Sequence, residues 1–173
     1  LEITLTGRDC GMEQRAPMCG IPFHSADTYI SRLINKGFKV AICEQVEDPS
    51  MAKGIVKRDV VRVVTPGTVT DSSMLDERKN NYLMSVYRHR SYFGIAIVDL
   101  STGEFTSTQI NWGNTTNKLM DEIAKFSPSE IIVNSEFHSD NETIDYIRKR
   151  FNVYISDVED IYFEENRASE KIL

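Results

Sequence analysis

No run of eighteen apolar residues occurs in the 173-residue sequence, which excludes a helical membrane span. Cysteine is scarce and odd in number: Cys10, Cys19 and Cys43, with no C-x-x-C. A disulfide framework is therefore not expected, and a reducing, cytoplasmic setting is. A Cys10–Cys19 bridge is a weaker alternative to three free thiols. His24, His89 and His138 are too dispersed for metal-ligand spacing, so no structural zinc is expected. No G-x-x-x-x-G-K-[ST], G-x-S-x-G or H-E-x-x-H occurs, which leaves no P-loop, nucleophile elbow or zinc-protease helix. The opening "LEITLTGRD" lacks the basic start and apolar core of a signal peptide. With no initial Met and an equally abrupt end, the sequence reads as a piece of a longer protein.

What is present is a globular composition, 40% hydrophobic and 27% charged, enough for one large domain or two small ones. The net charge of −6 is uneven. Residues 1–81 balance eleven Lys and Arg against eleven Asp and Glu; residues 82–173 hold nine against fifteen. A surface for a polyanion is thus expected only in the first half. Lys53, Lys57, Arg58 and Arg62 put four cations within ten residues there. Such a cluster is more often a solvated face than a phosphate site, and composition does not choose between them.

Pattern predicts an α+β unit first. Leu1, Ile3 and Leu5 alternate with polar residues, predicting a strand over residues 1–6. In "GIPFHSADTYISRLINKGFKVAICEQVEDP", Ser25 is a candidate N-cap. Ala26, Tyr29, Ile30, Leu33 and Ile34 form one helical stripe, and Gly37 is the C-terminal stop. Residues 38–46 read as a strand whose "VAIC" is apolar enough for burial on both faces, making Cys43 an inert buried thiol. Residues 55–65 read as another strand; if it is regular, Arg58 and Arg62 share a face. Pro66-Gly67 suits a type II turn, and residues 71–81 read as a linker with a short helix at 74–78.

The second half has the order β-β-β-α-β-α-β, with strands at 82–87, 93–100 and 104–110 and a helix at 115–126. Next come a strand at 130–133, a helix from a Ser139/Glu142 capping box to Arg150, and a strand at 153–155. This predicts a mixed sheet with flanking helices in the ribonuclease H-like order, within an α/β chain overall. A nuclease would need converging carboxylates, one on the first strand, and "YLMSVYR" has none. Asp99 and Glu104 flank one turn, where a structural role is the commoner meaning.

The segments "LEITLTGR", "PMCGIPFHSADTYISRLINKGFKVAICEQVEDP", "KGIVKRDVVRVVTPGT" and "FGIAIVDLSTGEF" resemble the MutS family of DNA mismatch repair proteins. The match is close over residues 1–68 and looser beyond. The resemblance implies that residues 1–70 are the back part of a mismatch-recognition domain. It makes 71–81 a linker and 82–173 most of a ribonuclease H-like connector that is not a nuclease. It implies double-stranded DNA with a mispair or small loop as ligand, MutL as partner and a homodimeric parent protein. An ATPase using ATP and Mg would lie outside this piece, with no cofactor within it. The family's Phe-x-Glu mispair-reading motif is placed upstream of the residue matched by Leu1. Arg8, Met18, His24 and Arg58 match family positions at or near DNA; Lys53 and Arg62 join them on the charge pattern. A protein-docking module without DNA binding and a metal-dependent nuclease are the alternatives.

Overall fold

The computed structural model describes residues 1–9, 11, 13–51, 54–76, 78–111 and 115–172. The chain forms two compact units, Leu1–Val64 and Thr65–Leu173.

In the first unit, β1 (Thr6–Arg8) pairs antiparallel with β2 (Ala16–Met18). The strand expected over residues 1–6 does not form. Leu1 and Leu5 are 39% and 74% exposed, and alternation without a partner strand leaves the backbone unladdered. A 3-10 turn, Phe23–Ser25, leads into α1 (Ala26–Ile34). Ser25 makes no capping hydrogen bond, because this turn already occupies the entry to the helix. The apolar stripe is as expected, with Ile34 buried and its companions half-buried. Gly37 at φ +80 closes the helix. Its N–H reaches the Ile34 carbonyl and that of Phe38 reaches Leu33, the paired bonds of a left-handed helix stop.

β3 (Val40–Gln45) then pairs antiparallel with β4 (Arg58–Val64). α1 packs on β3. Val40 and Ile42 are half-buried and Val64 is buried. Ala41, Cys43, Val60 and Val63 are exposed. "VAIC" is therefore buried on one side only, and the Cys43 thiol is exposed rather than buried.

The second unit begins with the Thr65–Thr68 turn, in which the Thr68 N–H reaches the Thr65 carbonyl. Gly67 does not take the positive φ of a type II turn. It is glycine for space, as a Cβ there would lie 2.9 Å from both the Glu130 Cβ and the Leu83 Cδ1. No helix forms at 74–78 among the described residues. Asp71 and Asp76 instead accept the N–H groups of Ser73 and Arg78, two side-chain turns that compete with helix.

The sheet of this unit has five strands: β5 (Tyr82–His89), β6 (Tyr92–Asp99), β7 (Glu104–Ile110), β8 (Glu130–Val133) and β9 (Tyr154–Asp157). Their order is β7-β6-β5-β8-β9, with β5–β6 and β6–β7 antiparallel and β5–β8 and β8–β9 parallel. α2 (Thr115–Phe126) touches β6 and β7. α4 (Asn141–Phe151) touches β9 and α2, so both lie on one face. Between helices and sheet lies the core, including Met84, Val86, Ile97, Leu119, Ile123 and Ile147. A short α3 (Ser135–His138) precedes α4, and α5 (Glu165–Ile172) closes the chain. Ser139 does not cap α4. It belongs to the end of α3, where its Oγ donates to the Ser135 carbonyl, and Asp140 accepts the Thr143 N–H instead.

Candidate nucleic-acid interface

The described candidate residues all fall in the first unit, on three pieces of structure. On the β1–β2 ribbon, Thr6 opposes Met18 and Arg8 opposes Ala16. Directly opposed and alternate residues share a face, so Arg8 and Met18 lie on one side of the ribbon, with Gly7 and Pro17 on the other. The Thr6 hydroxyl ties the ribbon by donating to the Met18 carbonyl at 2.7 Å, and Met18 is 45% exposed. A Cβ on Gly7 would come within 3.2 Å of the Arg15 Cβ. His24 is exposed in the 3-10 turn before α1.

Arg58 and Arg62 sit on β4, and here the regular alternation breaks. Ile42 pairs with Arg62 but the next residue, Cys43, pairs with Val60, leaving Val61 as a bulge. The extra residue flips the parity of everything before it. Arg58 therefore shares a face with Val60, Val63, Ala41, Cys43 and Gln45. Arg62 lies on the opposite face with Val64, Val40 and Ile42, and with the acidic Glu44 and Asp59. The two arginines do not form one patch. Arg58 is on the open face, which bears no carboxylate among these strand residues. Lys53 lies outside the described residues.

Two carboxylates of the second unit, Asp99 and Asp140, are engaged. Asp99 is fully buried. It accepts the N–H groups of Asn81 at 3.0 Å and Ser101 at 2.8 Å, the Ser101 hydroxyl at 2.6 Å and the Thr102 N–H at 3.4 Å. Burial pushes its pKa up, but these hydrogen bonds outweigh it and hold the carboxyl below its ordinary value. Glu104 opposes it across β6 and β7. Asp140 is also held low: burial raises it, and the Thr143 N–H and the Arg88 guanidinium, at 2.6 Å, more than compensate. Among the described residues no three His, Cys, Asp or Glu side chains converge as a metal site would require. No helix there is long and apolar enough to cross a membrane.

Sequence pattern did not single out two groups. Asn134 bonds both the N–H and carbonyl of Arg88 at 2.9 Å, prolonging the β5–β8 ladder by a side chain. Glu130, 2% exposed, holds the Thr65–Gly67 turn. Its one sequence signal is a carboxylate opening an otherwise buried strand, "EIIV".

Family comparison matches residues 1–73 to MutS domain I and residues 81–173 to MutS domain II. The DNA mismatch repair protein MutS of Acetivibrio thermocellus is 68% identical over 99% of this chain and 20% of its own length. That of Ruminiclostridium cellulolyticum is 70% identical over 95% of the chain and 19% of its own length. That of Caldanaerobacter subterraneus is 58% identical over 83% of the chain and 17% of its own length. The chain belongs to the MutS family, as the sequence motifs implied. It spans about a fifth of the length of these relatives.

Proposed function

We propose that this chain is the DNA-supporting and relaying part of a mismatch repair sensor, without chemistry of its own. The supporting observation is the β4 bulge, which turns Arg58 onto an exposed face without a carboxylate among the described strand residues, within the stretch matched to MutS domain I. Arg58 meets a backbone phosphate there, and Arg8, Met18 and His24 extend the contact. Arg62 contributes less, because Asp59 and Glu44 share its face. Phosphate contacts of this kind position a protein without reading sequence. Discrimination of the mispair falls to the Phe-x-Glu wedge, which kinks a step already weakened by mispairing.

The second unit, read as a ribonuclease H-like connector, relays to an ATPase elsewhere in a homodimeric cytoplasmic parent, where ATP and Mg would act. It also docks MutL. A cavity of about 520 Å³ favours a partner with basic side chains, because Glu136, Asp160, Glu164 and Glu165 line it beside Tyr87 and Phe163. A nuclease reading is disfavoured because Asp99 is buried and its carboxylate is already held by four hydrogen bonds that close a turn.

Fluorescence anisotropy on a fully paired duplex, titrated between about 50 and 200 mM salt, tests the DNA reading. Affinity is expected to fall with salt. Arg58→Ala should lower the log–log slope by about one and Arg62→Ala by less. Equal slopes for the native chain and Arg58→Ala would remove Arg58 from the interface.

A further inference from the structure

The Thr-Pro-Gly-Thr turn follows β4 without a spare residue, since Val64 ends the strand and Thr65 is already held. The Thr65 hydroxyl and the Gly67 N–H, the latter at 3.0 Å, both donate to one oxygen of Glu130 on β8. The Ser156 hydroxyl on β9 donates to the other at 3.4 Å. The Asn81 amide secures the far side of the turn, donating to the carbonyls of Pro66 at 3.1 Å and Val69 at 3.4 Å. Glu130 is 2% exposed and forms no ion pair among the described residues. A buried carboxyl without a cation is costly unless hydrogen bonds satisfy its oxygens, and here three donors do so. Two of its three donors are in the turn. Gly67 approaches so closely that a Cβ would strike the Glu130 Cβ and Leu83.

We propose that Glu130 is a latch, a positioning residue that fixes the chain where it leaves β4. The affinity of the Arg58 face for duplex DNA then depends on a side chain of β8. This rests on the DNA-binding reading above. With the latch open, the last rungs of β4, Val64 on Val40 and Val63 on Ala41, fray. Ordering them must then be met out of the binding free energy.

Amide hydrogen exchange by NMR on the native chain and on Glu130→Ala, Glu130→Gln and Thr65→Val, paired with duplex anisotropy, tests this. In Glu130→Ala the Gly67 amide should exchange about tenfold faster or more. Residues 62–64 should follow and duplex affinity should fall several-fold, with β5–β6 amides unchanged. Glu130→Gln should restore both readouts, since its amide oxygen can accept the same two bonds. If Glu130→Ala unfolds the second unit, β5–β6 exchange reports it and Thr65→Val, which removes one donor, decides. Unchanged Gly67 exchange, or a freed turn with unchanged affinity, overturns the latch. A native chain that binds no duplex at all defeats the DNA reading itself; exchange at residues 62–64 then judges whether Glu130 orders β4.

Discussion

Asp99 shows how a residue can look like chemistry and serve structure. It closes the β6–β7 turn by accepting from three backbone N–H groups and a hydroxyl. Asp99→Asn keeps the shape but points an amide at the Asn81 N–H, so the second unit should lose roughly 1–3 kcal/mol, read by chemical denaturation. The linkage sign follows from the depressed pKa. The folded carboxyl binds its proton more weakly than the unfolded one, so stability rises with pH in that window. The contribution of Asp99 and Asp140 is complete above their ordinary value of 3.8 and is lost as pH falls through the lower folded values. The melting temperature should therefore be flat from neutrality to about pH 5 and decline below about pH 4, less steeply in Asp99→Asn. Gly67 and Glu130 were not legible as partners. Pro-Gly signals a turn, but whether the glycine serves φ or space depends on neighbours sixteen and sixty-three residues away.

Elements were legible where the pattern was long and its partners lay within the chain. β7, α2 and β8 fall where alternation and the 3.6-residue stripe put them, and β5 and β6 differ only at their ends. Legibility failed where a tertiary choice intervened. Leu1 to Leu5 alternate without a strand to pair with. The bulge at Val61 depends on how β3 and β4 meet, so no run of β4 alone could reveal that Arg58 and Arg62 face apart. The α4 cap is the same lesson at one helix end, since Ser139 and Asp140 are both good caps and α3 claims the serine. Asp140→Ala should cost about 1–2 kcal/mol, with the Arg88 pair lost as well. Ser139→Ala should stay within about 0.5 kcal/mol in the same denaturation assay.

At the scale of the whole molecule, the two units differ in how much they bury. Among the described residues, Ile34 and Val64 are the buried apolar side chains of the first, whereas the second has a continuous core between sheet and helices. Limited proteolysis should therefore cut within residues 1–64 while 82–151 stay intact, because opening free energy follows local burial. Equal protection of both would contradict that ranking. Charge divides the same way: residues 1–64 hold nine Lys and Arg against eight Asp and Glu, and residues 65–173 hold eleven against eighteen. On the proposed function, this chain grips the DNA backbone without reading the mispair. Anisotropy on two matched duplexes, one with a single G·T mispair and one fully paired, tests it most directly. Weak, salt-sensitive binding that is equal on both duplexes is expected. A clear preference for the mispair would contradict it, and would mean that residues 1–68 sense the distortion themselves.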